Sequence, residues 1–230
     1  MKNILKKSLK DTIPVLSGYI VLGMGFGILM QTKGYGVCWT LAMSALIYAG
    51  SMQYLAIDLL CGGATLISTA ISTLMVNARH IFYGISMVDK YKGTGKAKPY
   101  LIFALTDETY SLVCSADDGM YEHEKHRYYL LVSLFNHIYW VTGSVIGALL
   151  GAIIPFSTEG IDFALTALFV TVFVEQWKST KDHLPAIIGV VASVICLVIF
   201  GADDFLIPDM VFIIVLLSAL KLVRREEKVK

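Results

Sequence analysis

Long apolar runs constrain this chain more than any other feature. Residues 13–30, 34–57 and 184–202 carry no charge at all. A helix needs roughly 20 such residues to cross the hydrocarbon core of a bilayer. In that solvent every backbone amide must be satisfied internally, which leaves helices and closed barrels. Barrel strands alternate apolar and polar residues over about ten positions, and no such alternation occurs here. The expected fold is all-α: one polytopic transmembrane domain over residues 1–230.

The spans follow from the same pattern. Apolar runs cover about 12–31, 37–60, 64–88, 99–116, 128–152, 160–176, 184–201 and 205–223. Asp162 shortens the sixth, and Pro208 with Asp209 interrupts the eighth, so seven or eight spans are expected. Hydrophobic residues make up 56% of the chain, against about 45–50% in soluble domains. The basic segment 1–11 precedes an apolar run without a small-residue cleavage signature, so it reads as an uncleaved first helix. With eight simple crossings and the N-terminus inside, 13 basic residues fall inside and 5 outside. The positive-inside rule then puts both termini, including the basic tail 221–230, in the cytoplasm. The 90–98 loop, with Lys90, Lys92, Lys96 and Lys98, breaks that rule unless one of the first three runs stops short of a full crossing.

Net charge is +1, which gives no case for a nucleic acid partner. Cys38, Cys61, Cys114 and Cys196 are scattered and form no CxxC pair, so neither disulfides nor zinc are expected. Glu122 to Arg127 reads as a solvated loop rather than a metal site. No HExxH, GxSxG or P-loop occurs, so no metal, cofactor, ATP-driven engine or enzyme activity is expected.

Charges inside the runs mark the candidate site. Arg79 and His80 lie within the third run, and a cation at that depth costs at least about 2.5–3.5 kcal/mol. It is tolerated facing a bundle interior or a counter-charge. The fourth run offers Asp107 and Glu108, which point about 100° apart on a helix. One can pair with Arg79 while the other titrates. Thr69, Thr73, Asn77, His80 and Gly84 share one face of a continuous helix. The second run adds Tyr48, Gly50, Ser51 and Gln53, with Gly50 able to open the helix. Asn136, His137 and Trp140 form a comparable patch in the fifth. Glu175 and Gln176 read as interfacial.

Pro14, Gly18, Gly23 and Gly27 make the first run glycine-rich. Small residues allow close helix packing, while clustered Gly and Pro also mark helices broken at transport sites. Both readings stay open. Residues 36–54 and 160–177 are weakly similar, each after a Gly-rich helix, as in an internal repeat.

Several of these patterns occur in a fixed order. They are Pro14 to Gly18 to Gly23-x-x-Phe26-Gly27, then Ser44-x-x-x-Tyr48-Ala-Gly50-Ser-x-Gln53, Asn77-Ala-Arg79-His80, Thr106-Asp107-Glu108, and Asp162-Phe163-Ala164 leading to Glu175-Gln176-Trp177-Lys178. In this order the chain resembles the AzlC family over nearly its whole length. That family supplies the large subunit of two-component branched-chain amino acid exporters of the LIV-E type. One departure is Gly25, where the family pattern has a proline. The resemblance implies proton-driven export of leucine, isoleucine, valine and related solutes such as methionine or azaleucine. It also implies a bacterial plasma-membrane location and a small AzlD-type membrane partner of about 100 residues.

The residue chemistry is compatible with that implication. Arg79 can hold a carboxylate through two parallel hydrogen bonds. Asp107 or Glu108 can take an ammonium or a proton, and His80 can shuttle or orient. Asn77, Tyr48, Gly50, Ser51 and Gln53 complete the expected substrate-binding set. The alternatives are a transporter of another small solute, or a non-transporting scaffold for the small partner.

Overall fold

The computed structural model describes residues 2–114, 116, 120–154 and 182–227, with isolated positions between 166 and 180. These residues gather into two compact units, 1–168 and 169–230. The first contains α1 (Lys2–Thr32), α2 (Gly36–Leu46), α3 (Gly50–Cys61), α4 (Leu66–Val76), α5 (Ala78–Met87), α6 (Lys98–Phe103), α7 (Asp107–Cys114) and α8 (Glu122–Ile153). The second contains α9 (Leu184–Asp204) and α10 (Leu206–Glu227). No strand occurs among the described residues. The sixth apolar run lies outside them apart from four scattered positions, and so do Glu175, Gln176 and most of the second half of the proposed repeat.

Three helices have the length and apolarity to cross a bilayer: Asn3–Thr32, Glu122–Ile153 and Leu184–Gly201. The large apolar side chains that these helices expose, Val21, Ile138, Ile146 and Val198 among them, suit a lipid surround. α8 starts at Glu122, so the segment expected as a solvated loop is its first turns. Glu124 closes them by accepting from the Tyr121 amide at 3.3 Å. The covalent order of side chains favours this, because acidic residues suit the positive end of a helix.

α1 and α8 form the spine of the first unit, and they run parallel. Going along α1, Tyr19 meets Trp140, Ile20 meets Gly143, and Ile28 meets Gly151. A Cβ on Gly23 would lie 2.9 Å from the Ser144 amide, and one on Gly143 would lie 2.8 Å from the Ile20 carbonyl. Gly27 and Gly147 meet the partner backbone more tightly still. Small residues four apart on both helices therefore bring the two backbones into contact. α1 runs unbroken through Pro14. The glycine-rich helix is thus a packing helix, and Gly18, with nothing near its Cβ position, takes no part.

The breaks fall in the second, third and fourth runs instead. α2 starts beside Gln31 at the far end of α1 and runs back to Tyr48, whose ring lies 4.3 Å from that of His137. α3 then returns: Gly50 lies under Trp140, and Tyr54 donates to the Leu22 carbonyl at 2.7 Å and packs on Phe26. This pair is a re-entrant hairpin from the far end. Gly63 (φ 63°) turns the chain, and Thr65 caps α4 by accepting from the Ser68 amide at 3.2 Å. α4 and α5 together travel the whole way, with a break at Asn77.

α6 and α7 form a second re-entrant hairpin, from the opposite end. α7 lies parallel to α5: Arg79 meets Asp107, Tyr83 stacks on Tyr110 at 4.6 Å, and Lys90 donates to the Cys114 carbonyl at 3.3 Å. Met87, Tyr91, Leu101, Val113, Tyr128, Tyr129 and Ile4 share one apolar cluster at that end. The 90–98 loop therefore sits beside the first turns of α1 and α8, and Gly93 touches His126. Its four lysines join Lys6, Lys7, Lys10, Lys125 and Arg127 at one basic end. Each hairpin begins and ends at one end of the bundle, so the 90–98 loop lies at the same end as the first turns of α1 and α8.

In the second unit, Gly201 (φ 77°) kinks the end of α9. Ser193 donates to the buried Asp209 carboxylate at 2.8 Å and ties α9 to α10.

A charged station where three helices begin

The tips of both hairpins and the break at Asn77 meet at mid-depth, about 20 Å along α8 from Glu122 to Asn136 at 1.5 Å per residue. Arg79, in the first turn of α5, bonds Asp107, the first residue of α7, at 2.9 Å. Its other terminal nitrogen donates to Ser51, in the first turn of α3, at 3.1 Å. Three helix N-termini and a guanidinium thus converge. Each terminus carries roughly half a positive charge, and a cation at such an end is unfavourable by itself. Asp107 compensates it. The Arg79 Nε is buried and has no hydrogen-bond partner among the described residues. The side chain as a whole is 33% exposed.

Glu108 points elsewhere, as adjacent helical positions dictate. It accepts from the Tyr19 hydroxyl at 2.6 Å. Tyr19 also shares a 2.8 Å hydrogen bond with Thr106, Thr106 bonds Thr109 at 3.1 Å, and Asn136 donates to Thr109 at 3.0 Å. Thr106 additionally caps α7 by accepting from the Thr109 amide at 3.3 Å. A continuous polar chain therefore joins α1, α7 and α8 behind the charged pair.

The second run closes the other side. Gln53 is fully buried, accepts from the Trp140 indole at 2.9 Å and donates to Ser44 at 3.4 Å. Trp140 covers Gly50, where a Cβ would come within 3.1 Å of its ring. Tyr48, at the hairpin tip, holds φ at 46°. A left-handed non-glycine residue costs on the order of 1–3 kcal/mol and persists only where its surroundings demand it. Here its ring is clamped between His137 and Phe103.

The structure therefore brings Arg79, Ser51 and Asp107 into contact, with Glu108 alongside and Tyr48, Gly50 and Gln53 forming the neighbouring wall. Asn77 supplies its carbonyl to the His80 amide at 2.9 Å, which starts α5. That break also interrupts the continuous helical face expected for Thr69, Thr73, Asn77, His80 and Gly84: the first two lie on α4, the last two on α5. Gly23 and Gly27 support the spine, while Pro14 and Gly18 bring no group to the station. Sequence reasoning missed Tyr19 and Thr109. A tyrosine inside a membrane run needs a partner for its hydroxyl, and that signal was present at Tyr19.

Comparison with known proteins agrees with this arrangement of motifs. The family model described as AzlC protein matches residues 14–154. The branched-chain amino acid transport protein AzlC of Bacillus subtilis is 44% identical over 210 residues, covering 91% of this chain and 82% of the relative. A membrane protein of Helicobacter pylori strain 26695 is 40% identical over 223 residues, 96% of this chain and 95% of the relative. The inner membrane protein YgaZ of Escherichia coli is 26% identical over 193 residues, 80% and 79% of the two chains. No solved structure matches. With its motifs, its apolar helices and these matches taken together, the chain belongs to the AzlC family.

Proposed function

We propose that this chain is the large subunit of a proton-coupled exporter of leucine, isoleucine and valine, working in the bacterial plasma membrane with a small AzlD-type subunit. The observation that carries the reading is Arg79, held at mid-depth where α3, α5 and α7 begin. Anions are favoured at helix N-termini, whose amides and dipoles point at the ligand. Broken helices do this for substrate carboxylates in other secondary transporters. Asp107 receives the substrate ammonium, and Glu108 carries the proton through its bond to Tyr19. An aliphatic side chain needs only an apolar wall. One methylene changes such binding by about 1–3 kcal/mol, so substrates of similar length overlap. The family membership, and the similarity to the branched-chain amino acid transport protein of Bacillus subtilis, support the choice of substrate.

Efflux of labelled leucine and valine from preloaded cells tests this directly. The cells carry this chain alone, the small subunit alone, or both, with and without a protonophore. Export only from the pair, lost on adding the protonophore, is the expected result. No export from well-expressed pairs overturns the assignment of substrate.

A further inference from the structure

The station does not stand alone at mid-depth. A cavity of about 190 Å³ lies between α5 and α6. Its α5 wall is His80, Gly84, Met87 and Val88, continued by Tyr91; its α6 wall is Lys98 and Ile102, continued by Leu105. These positions recur every three or four residues, so each wall is a single helical stripe. From His80 to Tyr91 the stripe is about 16 Å long at 1.5 Å per residue. Its inner end is His80, next to Arg79 in sequence and about 100° around α5 from it. Its outer end is Tyr91 and Lys98, at the basic end of the bundle.

Two features suit this slot to a small amphipathic solute rather than to simple packing. Gly84 sits halfway along, and no atom lies within 4 Å of its Cβ position, so the missing side chain leaves the slot open. The walls between the ends are aliphatic, while each end carries a nitrogen-bearing side chain. Tyr91 is itself buried, in the apolar cluster at that end. Lys98 places a positive charge at that outer end, which raises the local concentration of a carboxylate-bearing solute.

We propose that the slot between α5 and α6 is the aqueous passage by which an aliphatic amino acid moves between the basic end of the bundle and the Arg79 station. The choice of solute rests on the function proposed above, whereas the aqueous character of the slot does not. With the basic end in the cytoplasm, this is the loading route of an exporter. The competing occupant is a lipid chain, since Val88 and Ile102 are exposed.

Gly84→Cys, in full-length chain expressed with the small subunit, decides between them. Inside-out vesicles present the basic end to a charged, membrane-impermeant thiol reagent. Labelling well above that of the parent chain, whose own four cysteines set the background, is expected. Added leucine should slow it several-fold. Labelling no higher than background means a dry or lipid-filled slot and overturns the proposal. Labelling unaffected by leucine, in vesicles whose parent complex exchanges leucine, also overturns it as a substrate route. If the parent complex fails to exchange leucine, the assigned function falls, while strong labelling still upholds an aqueous passage. Gly84→Leu gives a second reading. Filling the slot should lower leucine efflux at least tenfold at equal membrane abundance, and undiminished efflux contradicts the proposal.

Discussion

Arg79 and Glu108 show how two charges at one depth take different partners. Arg79 lies between Asp107 and Ser51, with its buried Nε unpartnered among the described residues. Glu108 has turned away to Tyr19. In Glu108→Gln the amide still accepts the Tyr19 hydrogen bond but cannot carry a proton. Leucine–leucine exchange should therefore continue near the parent rate, while uphill efflux driven by the proton gradient falls at least tenfold. Vesicle assays of both modes check this, and gradient-driven efflux at the parent rate refutes the proton role. The charged residues of the station were legible in the sequence because charge inside an apolar run is costly. Which carboxylate pairs with Arg79 was not legible, since that depends on how α7 is rotated against α5. The partnership of Tyr19 with Glu108 joins positions 89 apart in the chain, and no local pattern encodes it.

At the scale of elements, the parallel α1–α8 pair and the two hairpins have different physical origins. The pair depends on absent side chains. Gly147→Ala places a methyl group against the backbone of Met24, and overpacking of this kind costs about 1–3 kcal/mol. Gly18→Ala meets no atom within 4 Å. Thermal unfolding in detergent should show a clear fall in Tm for the first and little change for the second. Equal behaviour of the two variants contradicts the packing role. The existence of helices was legible from apolarity, and the break near Gly50 from its glycine. The reversal of direction at each hairpin tip was not. A run of about 20 apolar residues is compatible with one crossing or with two half-helices, and the difference lies in tertiary contacts such as Tyr54 with Leu22 and Lys90 with Cys114. The continuous face read across Asn77 failed for the same reason: a single non-helical residue resets helical phase.

For the whole molecule, the hairpins enter from opposite ends and reach the same depth. Three helix N-termini consequently face one point, where a single bundle of straight helices would place none. The arrangement also accounts for charge. The described lysines and arginines of the first unit lie at one end, apart from Lys33 at the other and Arg79 between them. The sequence exposed this as a conflict at the 90–98 loop, and the hairpins formed by the second and fourth runs bring that loop to the same end as the first turns of α1 and α8. Thr94→Cys should react with an impermeant reagent only from the cytoplasmic side, and Lys33→Cys only from the outside. Labelling of Thr94→Cys from the outside would restore simple crossings and remove the convergence of helix ends.

In the proposed function Arg79 holds the substrate carboxylate. A substrate carboxylate that takes over the terminal nitrogens now held by Asp107 and Ser51 makes two charge-assisted hydrogen bonds, and at about 1.5–3 kcal/mol each their removal corresponds to a loss of more than 100-fold. The measurement is leucine exchange by the reconstituted two-subunit complex, parent against Arg79→Gln at matched incorporation, with leucine and leucinamide as competitors. The parent should exchange leucine and discriminate strongly against leucinamide, which lacks the carboxylate. Arg79→Gln should lose exchange by at least about 100-fold. Exchange by Arg79→Gln at the parent rate, or equal competition by leucinamide in the parent, contradicts the claim.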